Sequence, residues 1–486
     1  MIYVNLNKQQ FEYDIHSLVK AFYPAEDVKV VVGETEDANL RLLFLPDEIQ
    51  LEQMETGRVW KRTARTEIEN QADKDELKNQ VKLLIYGALS EVTGKQLPWG
   101  TLTGIRPTKI ATAMLEQGKS EDEIRAFMRE KYLVSPEKQE LSIEIAHREE
   151  ELLSSLHGVK GYSVYIGIPF CPTTCLYCSF TSYPIAAWRD RVGEYLDALD
   201  KEIDFVAENN ANDILDTVYI GGGTPSTLNA EQLERLLHKI VTTLPMEHVS
   251  EFTVEAGRAD SITRDKLEVL KKYGVTRISV NPQTMNQITL DRIGRRHTVE
   301  QVLDAFHMAR ELGFDNINMD MILGLPGEGV EEVTHTMEVI KELKPDSLTV
   351  HSLAIKRASR LAQWIRENGM EELHNTDETM AIAEKTAREI GLVPYYLYRQ
   401  KNMSGNFENV GYAVPGKFGV YNVLIMEEKQ TIVALGAGAS TKRVWNEPNP
   451  DGTHRIERCE NVKDVAQYIA RIDEMIERKQ KLFAEE

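Results

Sequence analysis

The stretch Tyr165-Ile-Gly-Ile-Pro-Phe-Cys171-Pro-Thr-Thr-Cys175-Leu-Tyr-Cys178 decides how this chain folds and which chemistry it carries. Three cysteines stand within eight residues, directly after an apolar run typical of a β-strand. Thiolates at these offsets can bind three irons of one 4Fe-4S cubane, which leaves the fourth iron open to a small molecule. The remaining cysteine, Cys459, lies far along the chain. The motif therefore predicts a cluster with an open iron, held by Cys171, Cys175 and Cys178.

Two other interpretations of these cysteines remain open. Zinc usually takes four Cys or His ligands in closely spaced pairs, and no His or Asp follows close behind Cys178. Three purely structural thiols are the other alternative. The pattern favours the iron–sulfur cluster over both.

Composition bounds the class of protein. The chain has 486 residues, 42% hydrophobic and 28% charged, as is typical of globular proteins, and its length indicates two or three domains. A formal net charge of -20 repels phosphate backbones, so nucleic acid is not an expected partner. No apolar run approaches the roughly 20 residues of a membrane span, and the start lacks the build of a signal peptide. We therefore expect a cytoplasmic protein, and its four cysteines fit a reducing compartment.

The pattern of apolar and polar residues predicts four regions. Residues 1–115 are expected to form an N-terminal α+β domain and residues 116–160 a helical linker. Residues 161–355 are expected to form a (β/α)6 barrel, and residues 356–486 a C-terminal α+β domain.

Within these regions the local predictions are more specific. The N-terminal domain is expected to contain strands at 28–32, 40–45 and 58–67 and a helix at 73–92. The two helices of the linker are rich in charge, so we expect them to be exposed spacers. In the C-terminal domain, residues 418–425 and 431–435 are predicted to pair as a β-hairpin.

Residues 161–355 alternate short apolar strands with amphipathic helices. The strands are predicted at 163–168, 217–220, 251–255, 277–281, 316–322 and 347–352. Repeated βαβ units form a parallel sheet, which right-handed crossovers close partly or fully into a barrel. Function in such a fold lies at the C-terminal ends of the strands, and the cysteine stretch leaves the first strand there.

Other conspicuous residues fall at the ends of the later strands. The second strand runs into Gly221-Gly222-Gly223-Thr224-Pro225, where glycines allow close approach of a ligand and offer N–H donors. The third ends at Glu255, the fourth leads to Gln283 and the fifth carries Asp320. These acceptors suit an ammonium group and ribose hydroxyls. Arg295 and Arg296 offer cations for a carboxylate. Taken singly, these residues are also compatible with a tight turn, helix caps or solvated loop acids.

An open iron beside groups suited to an ammonium, a carboxylate and a ribose predicts S-adenosylmethionine as the second cofactor. Its amino and carboxylate groups chelate the open iron, and reductive cleavage leaves methionine and a 5′-deoxyadenosyl radical. The protein's part is to orient the cofactor and to exclude water and oxygen.

The same motifs resemble a known family. Residues 165–178 and 221–225, with Gln283, Arg295 and Asp320-Met-Ile-Leu-Gly-Leu-Pro, are similar to the radical SAM family of oxygen-independent coproporphyrinogen III oxidases (coproporphyrinogen dehydrogenases). Residues 102–109 and 395–412 resemble segments of its HemZ-type branch. The resemblance implies a partial TIM-like (β/α)6 radical SAM barrel with a coproporphyrinogen oxidase-like C-terminal domain. It also implies a 4Fe-4S cluster on the three cysteines. The residues that it implies as contacts of S-adenosylmethionine are Tyr165, Tyr177, Gly222, Gly223, Thr224, Glu255, Gln283, Arg295, Asp320 and Ala354.

The implied reaction is oxidative decarboxylation of two propionates of coproporphyrinogen III to vinyl groups, which gives protoporphyrinogen IX in anaerobic haem synthesis. The expected partners are a tetrapyrrole substrate and an electron donor, either a small molecule or a protein of the flavodoxin or ferredoxin type. By charge alone, Arg295, Arg296 and Arg399 are candidates for binding substrate carboxylates.

Two features depart from the oxidase pattern. Phe180 stands where the oxidase has a further cysteine, and residues 1–160 precede the cluster motif. Phenylalanine at that position resembles the haem chaperones of the same family. A haem carrier, and a radical enzyme acting on another tetrapyrrole, therefore remain alternatives.

Overall fold

The computed structural model describes residues 1–33, 37–104, 106–356, 359–370, 372–400, 406–449 and 453–484. The chain divides into two units. The first consists of Met1–His147, Ser352–Ile355 and Leu397–Asn409, and the second of Arg148–His351, Lys356–Tyr396 and Val410–Glu486. The boundaries predicted at residues 115, 160 and 355 stay predictions.

The first unit is built on a five-stranded sheet. Its strands β1 to β5 are Ile2–Leu6, Val28–Val32, Leu40–Phe44, Glu48–Gln53 and Arg58–Thr63. They lie in the order β2-β1-β3-β4-β5, with β1 parallel to both neighbours and the β3–β4 and β4–β5 pairs antiparallel. Helix α1 (Glu12–Phe22) connects β1 to β2, and helix α2 (Gln71–Thr93) follows β5. Both helices bury apolar side chains in one core with the sheet.

The sequence does not predict β1, α1 or β4. The reason is clearest in β4, where only Ile49 and Leu51 are buried among polar neighbours. Two apolar residues are too few for a period of two to stand out in the sequence.

Three helices follow: α3 (Thr108–Glu116), α4 (Glu121–Tyr132) and α5 (Pro136–Ser154). A capping box begins α4, because the Ser120 hydroxyl accepts from the Glu123 N–H while the Glu123 carboxylate accepts from the Ser120 N–H. The prediction that these helices are exposed spacers is wrong for α5, where Leu141, Ile145 and Ala146 are buried.

The second unit is built mainly on an eleven-stranded sheet and its helices. Its strands are β6 (Gly161–Ile168), β7 (Phe170–Cys171), β8 (Tyr183–Pro184), β9 (Ile214–Gly222), β10 (Glu251–Gly257), β11 (Arg277–Val280), β12 (Ile317–Leu323), β13 (Ser347–Ser352), β14 (Val393–Tyr398), β15 (Asn409–Ala413), β16 (Thr431–Leu435), β17 (Ser440–Pro448) and β18 (His454–Glu460). Its helices are α6 (Val192–Asn209), α7 (Ala230–Thr243), α8 (Arg264–Lys272), α9 (Gln287–Arg292), α10 (Val299–Glu311), α11 (Val330–Leu343), α12 (Leu361–Asn368), α13 (Asp377–Glu389), α14 (Val420–Glu427), α15 (Val465–Ala470) and α16 (Ile472–Ala484). Among the described helices, none combines the length and the apolar composition that crossing a bilayer requires.

The order of strands confirms the predicted βα array. The sheet runs β14-β15-β13-β12-β11-β10-β9-β6-β16-β17-β18, while β7 and β8 form a separate pair. Strands β6, β9, β10, β11 and β12 are parallel to their neighbours and follow one another in chain order. Their C-terminal ends therefore share one edge of the sheet, as the predicted barrel requires.

The predicted hairpin at residues 418–435 is wrong. Val420–Glu427 forms the helix α14, and β16 pairs in parallel with β6, with Val433 opposite Val164. A short apolar run is compatible with a helix or a strand by pattern alone, so the sequence could not decide between them. The C-terminal region thus extends the sheet beside the strand that leads into the cysteines.

A buried ion pair fixes the last helix. Lys479 of α16 and Glu202 of α6 are both fully buried, and the Lys479 Nζ lies 2.6 Å from Glu202 Oε1 and 2.6 Å from Asn461 Oδ1. The other Glu202 oxygen accepts from the Gly436 N–H at 2.8 Å and from the Tyr468 hydroxyl at 2.5 Å. These hydrogen bonds join α6, α16 and the turn after β16, and they satisfy both buried charges.

Candidate functional site

The three cysteines lie on the loop that leaves β6, here called the cysteine loop (residues 169–183). Cys171 and Cys175 are buried, Cys178 is half-buried, and none of them forms a disulfide. The Thr224 hydroxyl donates to Cys171 Sγ at 3.5 Å. Burial raises the pKa of the Cys171 thiol to about 11. Across the described ranges, no three His, Cys, Asp or Glu side chains are already gathered as a metal site.

Main-chain hydrogen bonds hold the cysteine loop in place. The Leu176 N–H donates to the Ile293 carbonyl, and the Leu176 carbonyl accepts from the Leu361 N–H, each at 2.9 Å. The loop closes on itself where the Tyr183 N–H donates to the Pro169 carbonyl at 2.8 Å.

Two arginines bind main-chain oxygens of the same loop. Buried Arg258, directly after β10, donates to the carbonyl of Thr173 at 3.0 Å and to its hydroxyl at 2.7 Å, while its other nitrogens pair with Asp260. Arg360 donates to the carbonyl of Thr174. The sequence analysis missed both residues, although a cation three residues after a predicted strand was a signal for Arg258.

The glycine turn packs directly against the cysteine loop. The Gly223 N–H donates to the Ile168 carbonyl at 2.8 Å, and the Thr224 N–H donates to the Phe170 carbonyl at 2.7 Å. A Cβ atom at Gly223 would lie 2.6 Å from the Phe170 oxygen and 3.0 Å from Cys171 Sγ. Two of the N–H groups predicted as ligand donors are thus satisfied within the protein, and the missing side chain makes room for the cysteine loop.

We expect Gly223→Ala to displace the cysteine loop, because its Cβ would overlap main-chain atoms that cannot rotate away. The free energy of unfolding of the cofactor-free protein should fall by about 1–3 kcal/mol. Iron bound per chain after anaerobic reconstitution should fall with it. Gly193→Ala is the matched control, since nothing lies within 4 Å of the added Cβ in α6, and there alanine should stabilise by about 0.5–1 kcal/mol. Wild-type stability and full iron content in Gly223→Ala would contradict the packing argument.

Glu255 lies near the C-terminal end of β10 and accepts a hydrogen bond from the Tyr219 hydroxyl. Burial raises the pKa of its carboxyl to about 7; the Tyr219 hydrogen bond works against this shift and the nearby Asp320 charge adds to it. A bound cation would offset the desolvation of the charged carboxylate, so the site suits an ammonium group.

The raised pKa of Glu255 makes stability depend on pH. A carboxyl whose folded pKa is raised stabilises the fold fully below its ordinary pKa of 4.5, and this contribution is lost as pH rises through about 7. In the cofactor-free protein the loss should be about 3 kcal/mol. We expect Glu255→Gln to remove it, whereas Glu378→Gln, at an exposed position in α13, should leave it. Urea unfolding at pH 4.5, 6 and 8 measures the difference; parallel curves for wild type and Glu255→Gln would refute the assignment.

Gln283 and Asp320 are tied together through the main chain. The Gln283 N–H donates to the Asp320 carbonyl, and the Ile322 N–H donates to the Gln283 carbonyl, each at 2.9 Å. Gln283 has a φ of 67°, a left-handed conformation that is strained for a residue other than glycine and is common at functional sites. Its side-chain Oε1 is buried and accepts no hydrogen bond from any described residue. A buried acceptor without a donor is what a missing ligand would leave behind.

The carboxylate of Asp320 is kept charged. Burial opposes the charge, but His351 and Asn318 lower the pKa of Asp320 below its usual value. The Asn318 amide donates to Asp320 Oδ1 at 2.7 Å. Asp320 is therefore a preset anionic acceptor in β12, directly before Met321, the residue that forms a β-bridge with Gln283.

Arg295 is brought to the cysteine loop. Its Nη1 donates to the Asn281 carbonyl at 2.5 Å, while its Nε is buried without an acceptor among the described residues. Burial opposes its charge, yet Tyr177 and Cys175 raise the pKa of the guanidinium. Burial likewise raises the pKa of the Tyr177 hydroxyl, with Arg295 working against that shift. The predicted residues Tyr177 and Arg295 thus meet beside a predicted cluster ligand.

Tyr165 of β6 stacks with Tyr219 of β9 and Tyr421 of α14. Its ring centroid lies 6.1 Å from those of Tyr219 and Tyr421, which are 4.4 Å from each other. Because Tyr219 also donates to Glu255, the stack connects β6 to the carboxyl end of β10. Ala354 belongs to the first unit, and its place near an adenine stays a prediction.

Arg399 binds oxygen atoms of the protein itself. It is buried in the first unit, where Nη1 donates to the Leu102 carbonyl at 2.7 Å and Nη2 to Asn406 Oδ1 at 2.6 Å. Burial lowers the pKa of its guanidinium to about 10, with Glu408 working against that shift. The suggestion that it pairs with substrate carboxylates is therefore not supported.

Comparison with known proteins agrees with this geometry. The radical SAM superfamily matches residues 165–340. The oxygen-independent coproporphyrinogen-III oxidase-like protein HemZ of Bacillus subtilis is 42% identical over 408 residues, which cover 83% of this chain and 80% of HemZ. The heme chaperone HemW of the same organism is 41% identical over 196 residues, 40% of this chain and 51% of HemW. The solved structure of coproporphyrinogen III oxidase (HemN) from Escherichia coli has a TM-score of 0.51 at 22% identity, covering 67% of this chain and 73% of that one.

The parallel βα array and the superfamily match define a radical SAM fold, as predicted from the sequence. Within that superfamily, the chain belongs to the family of oxygen-independent coproporphyrinogen III oxidase-like proteins.

Proposed function

We propose that the protein is a radical SAM oxidoreductase that converts propionates of coproporphyrinogen III to vinyl groups. The observation that carries the radical chemistry is the shared edge of the sheet, where the cysteine loop and the ends of β9, β10 and β12 come together. The likeness to HemZ over most of both chains supports a tetrapyrrole substrate. We also propose a cytoplasmic location and an electron donor that is a small molecule or a flavodoxin- or ferredoxin-type protein.

The residues at this edge fit the two cofactors that the family implies. Cys171, Cys175 and Cys178 would hold a 4Fe-4S cluster, because all three are free thiols on one tethered loop. Two buried polar atoms without described partners, Gln283 Oε1 and Arg295 Nε, would receive the ammonium and carboxylate of S-adenosylmethionine. Bound together, the cluster and S-adenosylmethionine supply a radical able to remove hydrogen from an unactivated carbon.

The chain's own residues would bind and orient the two cofactors. Tyr219 and the Gly222 N–H donate to the Glu255 carboxylate, whose remaining lone pairs can accept from a ligand donor. Arg258 fixes Thr173 between two of the cysteines and so limits movement of the sulfurs. Burial of Cys171, Cys175 and Arg295 keeps bulk water away from this point.

A haem carrier is the second candidate, and two observations favour it. Phe180 stands two residues after Cys178, so this position adds no thiol to the loop. Its side chain is 75% exposed. HemW is also 41% identical over the part of the chain that it matches.

One anaerobic assay separates these functions. The reconstituted, reduced protein is incubated with S-adenosylmethionine and either coproporphyrinogen III or haem, and the products are weighed by mass spectrometry. We expect loss of one carbon dioxide and two hydrogen atoms per propionate, with formation of 5′-deoxyadenosine. Haem that stays bound and intact, without any vinyl product from coproporphyrinogen III, would replace this proposal by the carrier. Opening of the haem ring would indicate a different tetrapyrrole reaction.

A further inference from the structure

We propose that three cations, Arg296, Lys356 and Arg360, bind peripheral carboxylates of the substrate; they belong to two segments that contact the cysteine loop through Gly294, Arg360 and Leu361. These three cations are called the basic rim below. The inference rests on the proposed function and assigns to it a binding site for a polycarboxylate ring.

The basic rim lies where the functional edge meets the cysteine loop. Lys356 and Arg360 follow the end of β13, and Arg360 donates to the Thr174 carbonyl. A Cβ atom at Gly294 would lie 3.7 Å from both the Arg360 guanidinium and the Thr174 oxygen. The 294–296 segment and Arg360 thus flank the loop between Cys171 and Cys175.

Within the part of the chain that the structure describes, the cations of the basic rim have no anionic partner. In a chain with 77 acidic and 57 basic residues, carboxylates are available as partners for cationic side chains. Arg235 in α7, for example, pairs with both Asp197 and Asp200. Over the described stretches, no carboxylate lies within 4.0 Å of a rim nitrogen. An acid-rich protein that leaves such cations unpaired beside its functional edge has room there for an anionic ligand.

Lys356 adds a second argument. It is half-buried, and burial lowers the pKa of its ammonium group, with no charged partner among the described residues to offset that shift. A bound carboxylate would restore the charged form by direct pairing. Arg296 and Arg360 are exposed, so a ligand can reach them without opening the fold.

The chemistry of the rim selects the ligand class. Coproporphyrinogen carries four propionates around an apolar macrocycle, and a propionate that does not react must be held while another does. Three cations on two segments that contact one loop match a ligand with several peripheral carboxylates better than one with two. The geometry therefore favours coproporphyrin-like rings over haem.

The test measures binding, which does not depend on turnover. The probes are coproporphyrin III and its tetramethyl ester, titrated by fluorescence into the anaerobically reconstituted protein in one buffer with mild detergent. Arg296→Gln and Lys356→Gln are the variants, because neither residue contacts the cysteine loop in the way that Arg360 does. Arg366→Gln removes an exposed arginine of α12 and is the matched control.

We expect each rim variant to raise the Kd for coproporphyrin III about tenfold, by loss of one charge-assisted contact. The Kd for the ester should stay unchanged in every protein, and Arg366→Gln should match wild type with both probes. Binding of coproporphyrin III to wild type should weaken with added salt. Mutations that weaken acid and ester equally, or neither, would overturn the basic rim while leaving the proposed function standing. A wild type that forms 5′-deoxyadenosine but binds neither porphyrin would instead refute the tetrapyrrole substrate and the rim with it.

Discussion

Replacement of Cys171, Cys175 or Cys178 by alanine is expected to abolish cleavage of S-adenosylmethionine. Three thiolates bind three of the four irons, so losing any of them removes the cluster or exposes it to loss of iron. Formation of 5′-deoxyadenosine by the reduced protein should fall to the level of protein without iron. Iron and sulfide analysis, with the visible absorption of the anaerobically reconstituted protein, should show the same loss.

The matched control is Cys459→Ala. Cys459 lies in β18, opposite Thr441, and is a free half-buried thiol like Cys178. Its replacement should leave iron content and 5′-deoxyadenosine formation at wild-type levels. If Cys459→Ala lost the cluster, or if an alanine at Cys175 kept full cleavage, the assignment of the three ligands would be refuted.

The second large effect is expected on stability, from Lys479→Met. The variant leaves Glu202 charged and fully buried without its cation, which costs about 3–5 kcal/mol. The double variant Lys479→Met/Glu202→Met should recover much of this loss, because no charge then remains in the dry interior. The measurement is urea unfolding of the cofactor-free proteins, analysed as a double-mutant cycle.

The same two helices supply the control for that prediction. Lys201 of α6 and Asp473 of α16 are 2.8 Å apart, but their side chains are 54% and 80% exposed. Lys201→Met should therefore change the free energy of unfolding by less than about 1 kcal/mol. Equal losses from Lys201→Met and Lys479→Met would show that burial of the pair is not the cause.

The sequence predicted the parallel βα array because each strand there is a separate apolar run followed by a helix. The prediction was wrong where an apolar run was not part of a regular strand–helix repeat. Val420–Glu427 is as apolar as a strand, and its helical form depends on packing that no local pattern reports. The partner of β16 was equally hidden, because a parallel neighbour far back in the chain leaves no turn signal beside it.

At the candidate site, the residues that the sequence singled out are those at strand ends. Glu255 and Asp320 were accessible to this reasoning because the ends of parallel strands share an edge. Arg258 and Arg360 were not, since each recognises a main-chain carbonyl, and a carbonyl has no signature in the sequence. For the same reason the sequence could not show that the Gly223 N–H, predicted as a ligand donor, donates to the carbonyl of Ile168 instead.

The parallel pairing of β16 with β6 bears on the order of biogenesis. During synthesis, the edge of β6 that pairs with β16 is at first without a partner. Val164 can pair with Val433 only when the C-terminal region has left the ribosome. Until then the strand leading to Cys171 is an unprotected edge that can pair with another chain. We therefore expect iron to be bound after translation is complete. A nascent chain stalled before residue 431 is expected to aggregate rather than bind iron.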